Sequence, residues 1–364
     1  MKVHPSQLQQ GCLIIQEVTG KTKKPIIPKN TIVQSVHLSV LHKFQVETVE
    51  VGPKLSNGKP FVPTEQKVEK SKEASASQAQ NALPFYDHYL EAVKKYEAWF
   101  ESWQGGASIK MHEIREFMVP LIEKAVESKR ELFLLHHFST KETYGAHHSV
   151  AMGLISAYIA SALGYSRGEW IQAGLAGLLS DSGMARIDPM ITQKKEPLTE
   201  IEHEEVKKHA VYSYRLVENI ASLGAQAKLG VLQHHERLDG SGYPLGLRKG
   251  KIHRFSQIIA VSDMYHAMTS ERFYRKKQSP FKVLEEMRQE QFGRYDHQVV
   301  NAFINEMTNY STGTKVRLTT NQMAEIVFID PAYPARPMVR LEDSEEIVAL
   351  KERADLHIDE VYET

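Results

Sequence analysis

The feature that most constrains this chain is a change in its hydrophobic period. Between about residues 85 and 310 apolar residues recur at helical spacing, in segments such as "GAHHSVAMGLISAYIASALG", "WIQAGLAGLLSD", "IEHEEVKKHAVYSYRLVENIAS", "AQAKLGVLQHHE" and "RFSQIIAVSDMYHAM". On either side the pattern alternates residue by residue, as strands require. "GCLIIQEV" and "FQVETVEV", separated by the turn-rich "GKTKKPIIPKN", predict a small β-rich module over 1–62. Residues 63–84 lack aromatics and are rich in Lys, Glu, Ser and Ala, the composition of a linker. Beyond "NYSTGTK", "KVRLTTNQMAEIVFID" reads as two strands and "RPMVRLE" as a third, which predicts a second β-module over 314–364. The expected fold class is therefore mainly α, with an all-α core domain over 85–313 flanked by two small β-rich modules.

Charge and cysteine content narrow the function classes. The 45 basic residues balance the 45 acidic ones, so no global field favours DNA or an anionic membrane, and any anionic ligand must be held by local groups. The single cysteine, Cys12, excludes an intramolecular disulfide framework and predicts a reducing, cytoplasmic setting. No apolar segment of signal-peptide length precedes "QQGCLII", and no run of about 18 apolar residues predicts a membrane span. Cys12 reads as an inert thiol. Phosphate-cradling G-x-x-x-x-G-K-[ST] and G-x-G-x-x-G loops are absent, as are internal repeats.

The polar residues on the apolar helix faces carry more. His148 shares a face with Met152, Ile155 and Ile159, and His209 lies on the stripe of Val206, Ser213, Leu216 and Ile220. Asp181 follows Leu178 by three and Asp263 follows Ile259 by four. A single inward histidine is ordinarily a satisfied core residue, but an ionised carboxylate in an apolar bundle is costly unless it is paired or bound to a metal. Imidazoles and carboxylates without thiolates suit iron, manganese or zinc. His234 and His235 are consecutive, so on a helix they diverge by about 100° and serve two sites, or one site and its surroundings. In the "DGSGYP" that follows, Gly240 and Gly242 permit tight backbone turns and Pro244 fixes the exit, which by itself is also the composition of an ordinary loop.

Taken together, these stretches resemble the HD-GYP domains, a subgroup of the HD phosphohydrolases that hydrolyses the bacterial second messenger cyclic di-GMP. The resemblance runs over about 140–305 and rests on "YGAHHS", "LLSDSG", "EPLTEIEHEEVKKH", the uninterrupted "HHERLDGSGYP", "VSDMYHAMTSERFYR" and "YDHQVV", in family order. It implies two divalent ions, iron or manganese, held by His148, Asp181, His209, His234, His235 and Asp263, with Asp181 bridging and with Asp181, His235 and Asp263 as the catalytic set. Two ions about 3.5 to 4 Å apart would activate a water for in-line attack on phosphorus, giving linear pGpG or GMP. Gly242, Tyr243 and Pro244 would shape the substrate wall, and Arg272 and Arg275 would grip phosphate. The flanking β-modules are similar to the appendages of such proteins and are the expected place for a protein partner. The sequence is equally compatible with a monomer and a homodimer.

Several positions depart from that resemblance. Ser180 stands where the family has a histidine, Met184 where it has a phosphate-contacting lysine, and Tyr144 where three-metal members have a glutamate, so a third ion is not expected. His266 replaces a usual aspartate three residues after Asp263, and is a candidate to supply the missing imidazole. The first expectation is a metal-dependent phosphodiesterase of reduced activity. The alternatives are a catalytically silent cyclic di-GMP receptor and hydrolysis of another phosphoester.

Overall fold

The structure is a computed structural model. It describes residues 1–364 except 20–24, 34–36, 39–40, 42–45, 47, 57–59, 62, 64–83, 195, 273–276 and 363–364. The chain divides into two compact units, Met1–His88 and Tyr89–Thr364. Most of the expected linker lies outside the described residues.

The first unit holds the predicted N-terminal β-structure. Strands β1 (Lys2–Val3), β5 (Val49–Leu55) and β2 (Cys12–Ile14) form an antiparallel sheet in that spatial order, and β3 (Val18–Thr19) pairs with β4 (Pro25–Ile27). Alternate residues of the strands point into a small core of Val3, Cys12, Ile14, Val49 and Val51. Cys12 is fully enclosed there, and burial pushes its thiol above the ordinary value, as an inert thiol requires.

The second unit is built around α4 (Tyr144–Ala162). Every residue from Ala146 to Ala160 is buried, because this helix is apolar nearly all round and is packed on all sides. Its neighbours are α2 (Met111–Glu127), α5 (Arg167–Leu179), α10 (Arg254–Thr269) and α12 (His297–Met307), with α1 (Phe85–Gln104) preceding them in the chain. Each enclosed Ile or Leu on α4 contributes about 1.5 to 3 kcal/mol by leaving water. Capping residues set the entry points. Ser166 and Glu169 form a reciprocal capping box that starts α5, and Thr199 and Glu202 form another that starts α7 (Glu200–Lys207).

The long helix expected from "IEHEEVKKHAVYSYRLVENIAS" is broken at Lys208 into α7 and α8 (His209–Val217). There the Lys208 amide donates to the Glu205 carbonyl three residues back, and the His209 ring takes the Val206 carbonyl. The turn tightens at that point. Helix α9 (Ala225–Gln233) follows and ends just before the histidine pair.

The C-terminal segment forms a five-stranded antiparallel sheet, ordered β10 (Ile358–Tyr362), β6 (Lys315–Leu318), β7 (Met323–Phe328), β8 (Met338–Leu341), β9 (Ile347–Ala349). Three of these strands are those read from the sequence. The sheet joins the helical body in one unit, because Phe281 of α11 (Pro280–Arg294) enters its core and Arg336 makes an ion pair with Glu285 of the same helix. The Arg336 guanidinium also donates to the carbonyls of Leu350, Arg353 and Leu356, which explains how a cation is tolerated at 8% exposure. Among the described residues no helix is long and apolar enough to cross a membrane.

Candidate metal centre

Four local features aim the ligand-capable side chains at one point. Helix α5 ends at Leu179 and the chain turns at Asp181 into a short 3-10 segment, Ser182–Arg186. Gly183 lets that turn press against α8: a Cβ there would lie 2.2 Å from the His209 carbonyl oxygen and 2.3 Å from the Ser213 amide nitrogen. The Gly183 amide donates to Ser213 Oγ at 2.7 Å. Asp181 is thereby held beside His209, at the first position of α8. His234 follows the last residue of α9, and Asp263 projects from α10.

The resulting geometry joins all six expected ligands. Asp181 Oδ1 lies 3.3 Å from His209 Nε2 and 3.5 Å from His234 Nε2, while its Oδ2 lies 3.5 Å from His148 Nε2. Asp263 Oδ1 is 3.3 Å from His148 Nε2, and its Oδ2 is 3.4 Å from His235 Nδ1. Asp181 is thus the residue shared between the two halves. Ligand atoms of Asp181, His209, His234 and His235 all fall within 4.8 Å of one another. The consecutive histidines reach the same pocket, with ring centroids 4.0 Å apart, and present different ring nitrogens to it, Nε2 of His234 and Nδ1 of His235. His234 turns to Asp181 and His235 to Asp263.

The hydrogen bonds on the far side of the rings fix what the near side offers. His209 Nδ1 donates to the Val206 carbonyl at 2.6 Å and His234 Nδ1 to the Val231 carbonyl at 2.7 Å. Each Nε2 then presents a lone pair, yet the two Nε2 atoms are 3.2 Å apart and both face Asp181 Oδ1. Three acceptors converging at this range repel unless a cation or a proton sits among them. Burial opposes charge on Asp181, but its contacts with the His209, His234 and His148 rings outweigh it and hold the carboxyl well below the usual range. Burial likewise opposes charge on Asp263, but the His148 hydrogen bond and the neighbouring His235 ring outweigh it and hold the carboxyl below the usual range. For His209, burial favours the neutral ring, but the hydrogen bond to Asp181 and its charge win and raise the pKa. Burial pushes His235 far down, with the adjacent His234 ring adding to it, which leaves a neutral ring able to ligate. A donor set of four imidazoles and two carboxylates, preorganised with bare lone pairs inward, fits divalent iron, manganese or zinc.

The loop expected to form a substrate wall is held by a residue that the sequence reading missed. The Glu236 carboxylate, 3% exposed, accepts from the Leu245 amide at 2.6 Å and the Leu247 amide at 2.8 Å. This clasps the loop that carries Gly242, Tyr243 and Pro244 against the histidine pair. Gly242 is required because a Cβ would lie 2.4 Å from the Arg237 amide nitrogen and 2.5 Å from the Glu236 Cα. The Tyr243–Pro244 bond is cis. Tyr243 packs on His235 at 4.7 Å between centroids, and the Lys207 ammonium stands 5.7 Å from the Tyr243 ring centroid. The adjacency of Glu236 to the histidines was the only sequence signal for its role.

One expectation changes, and two further residues are placed by their contacts. His266 does not reach the carboxylates. Three residues turn a helix by about 300°, so its side chain leaves α10 about 60° away from that of Asp263 and faces α4. There its Nδ1 lies 3.0 Å from His148 Nδ1, behind the ligating face, and the ring is only 1% exposed rather than at the surface. Ser180 does not complete the ligand set with its hydroxyl, which is fully buried and donates to the Ala176 carbonyl at 2.8 Å. Arg272 stands over Tyr144, 5.2 Å from the ring centroid, and donates to the Ala267 carbonyl at 2.9 Å. Tyr144 in turn stacks on His148 at 4.9 Å. Arg275 lies outside the described residues.

Comparison with known proteins agrees with this geometry. Residues 122–299 match the family model described as "HD domain". The chain is 33% identical over 196 residues to the Pseudomonas aeruginosa protein named "Cyclic di-GMP phosphodiesterase PA4108", covering 54% of this chain and 47% of that one. It is 33% identical over 135 residues to the Vibrio cholerae protein named "3'3'-cGAMP-specific phosphodiesterase 3", covering 37% and 29%. The chain spans about half the length of the first of these curated relatives. In fold it is similar to Bd1817, a HDG"Y"P protein from Bdellovibrio bacteriovorus, with a TM-score of 0.54 at 12% identity, over 85% of this chain and 99% of that one. The histidine and aspartate cluster thus lies within the stretch that matches the HD domain model, and the relatives it resembles are named as cyclic dinucleotide phosphodiesterases.

Proposed function

We propose that this chain is a metal-dependent phosphodiesterase that opens cyclic di-GMP to linear pGpG. The observation that carries the reading is the convergence of two bare Nε2 atoms and a shared carboxylate, an arrangement that leaves room for a cation. His209, His234 and Asp181 would hold one ion, and His148, Asp263 and His235 the other, with Asp181 shared between them. Iron or manganese suits this set, and bound ions supply charge to polarise a phosphodiester and to activate water. The protein's part is orientation and exclusion. The Val206 and Val231 carbonyls fix two imidazoles, the Glu236 clasp holds Tyr243 beside His235 as a wall, and the Lys207 cation over Tyr243 and the Arg272 cation over Tyr144 would offset phosphate charge.

The test is anaerobic reconstitution with iron(II) or manganese(II), followed by cyclic di-GMP hydrolysis against a His234→Ala control. Turnover lost in the control supports the reading, and absent turnover with metal bound refutes it. A receptor reading is favoured by one observation: Ser180 hydrogen-bonds its own helix, so the half of the site around His148 has one imidazole fewer than the resemblance implies. Nucleotide binding without turnover would select that reading. Because one relative is named for 3'3'-cGAMP, the assay includes that dinucleotide, and faster turnover of it would reassign the substrate.

A further inference from the structure

His148 is buried and in contact with its neighbours through its ring face and both ring nitrogens. Tyr144 stacks on one face of its ring at 4.9 Å and 19°, and Nε2 faces Asp181 and Asp263. Its remaining nitrogen, Nδ1, meets His266 Nδ1 at 3.0 Å with both residues buried. Two nitrogens at that distance share one proton, because two protons would collide and two lone pairs would repel. The proton has two placements. If it belongs to His266, then a neutral His148 carries its own proton on Nε2 and donates to the carboxylates, and the cluster is a structural hydrogen-bond network. If it belongs to His148, then Nε2 is a lone pair aimed between Asp181 and Asp263, and His266 is an acceptor.

We propose that His266 is a positioning residue that holds the Nδ1 proton of His148, so that His148 ligates an ion through Nε2. The inference rests on the two-ion reading above and deepens it. It assigns to His266 the part that backbone carbonyls of Val206 and Val231 play for His209 and His234, so that all three rings have a proton acceptor behind them. At His148 the acceptor is a side chain of the neighbouring helix, His266 of α10, rather than a backbone carbonyl. Ser270 Oγ, 3.4 Å from both ring nitrogens of His266, is the further polar contact of that ring. Loss of such an acceptor behind a metal-bound histidine ordinarily costs about 10- to 100-fold in metal affinity.

Two measurements test this. The first is manganese(II) titration of the wild type, His266→Leu and His266→Asp, followed by electron paramagnetic resonance. Leu removes the acceptor and Asp restores one, so the expected result is two ions in the wild type, one of them weakened about 10- to 100-fold in the Leu variant and recovered in the Asp variant. A Leu variant that binds both ions with wild-type affinity overturns the proposal while leaving the metal site intact. A wild type that binds no ion overturns the two-ion reading and this inference with it. The second measurement does not depend on folding of a variant or on activity: nitrogen-15 shifts of the histidine rings in zinc-loaded wild-type protein. A protonated His148 Nδ1 opposite a bare His266 Nδ1 supports the proposal, and the reverse assignment overturns it.

Discussion

Loading the site around Asp181 with manganese(II) should expel one proton, and the structure says which one. His209 and His234 spend their Nδ1 protons on the Val206 and Val231 carbonyls, so between their Nε2 atoms, 3.2 Å apart, and Asp181 Oδ1 there is room for a single proton. The raised pKa of His209 places it there when the metal is absent. One displaced proton means that the apparent affinity rises tenfold per pH unit, about 1.4 kcal/mol, below the folded pKa of His209 and levels off above it. Stability of the metal-free protein runs the other way. A histidine whose folded pKa is raised contributes stability that is fully present below its ordinary value of 6.5 and is lost as pH rises through the folded value. The metal-free protein should therefore weaken across the range in which the loaded protein gains. Calorimetric titration in buffers of different ionisation enthalpy, at about pH 6 and pH 8, counts the proton, and thermal melts follow stability. Affinity that does not change with pH, or binding that releases no proton, would refute the converging lone pairs.

Other outcomes follow from single contacts. Glu236→Ala leaves the Leu245 and Leu247 amides without their charged acceptor, which should cost about 3 kcal/mol and raise KM for the nucleotide while the metal content by elemental analysis stays unchanged. Gly183→Ala drives a Cβ into the His209 carbonyl, and a loss of more than about 3 kcal/mol in chemical denaturation is expected, with metal affinity falling in parallel. His147, buried against the Tyr89 hydroxyl, has its pKa lowered by burial from 6.5 to about 4. This depressed value contributes stability above pH 6.5 that is lost as pH falls toward 4, on the order of 3 kcal/mol in all. A His147→Phe variant should flatten that part of the stability profile, and an unchanged slope would assign the acid loss elsewhere.

The sequence by itself determined the parts that depend on local pattern. The helical period gave the core, alternation gave the strands Cys12–Ile14, Lys315–Leu318 and Met338–Leu341, and inward polar residues on apolar faces marked His148, Asp181, His209 and Asp263. Burying a charge is costly wherever it occurs, so those residues stand out without a structure. Tertiary structure decided direction and partnership. Spacing placed His266 beside Asp263, but the 60° between their side chains sends one ring to the carboxylates' side and the other behind His148. The consecutive His234 and His235 serve one pocket by turning different ring nitrogens, Nε2 and Nδ1, to the two carboxylates. Glu236 was legible as a charge next to two histidines. Its role appeared only when the chain folded back nine and eleven residues later to hand it two backbone amides, a contact that no periodicity encodes.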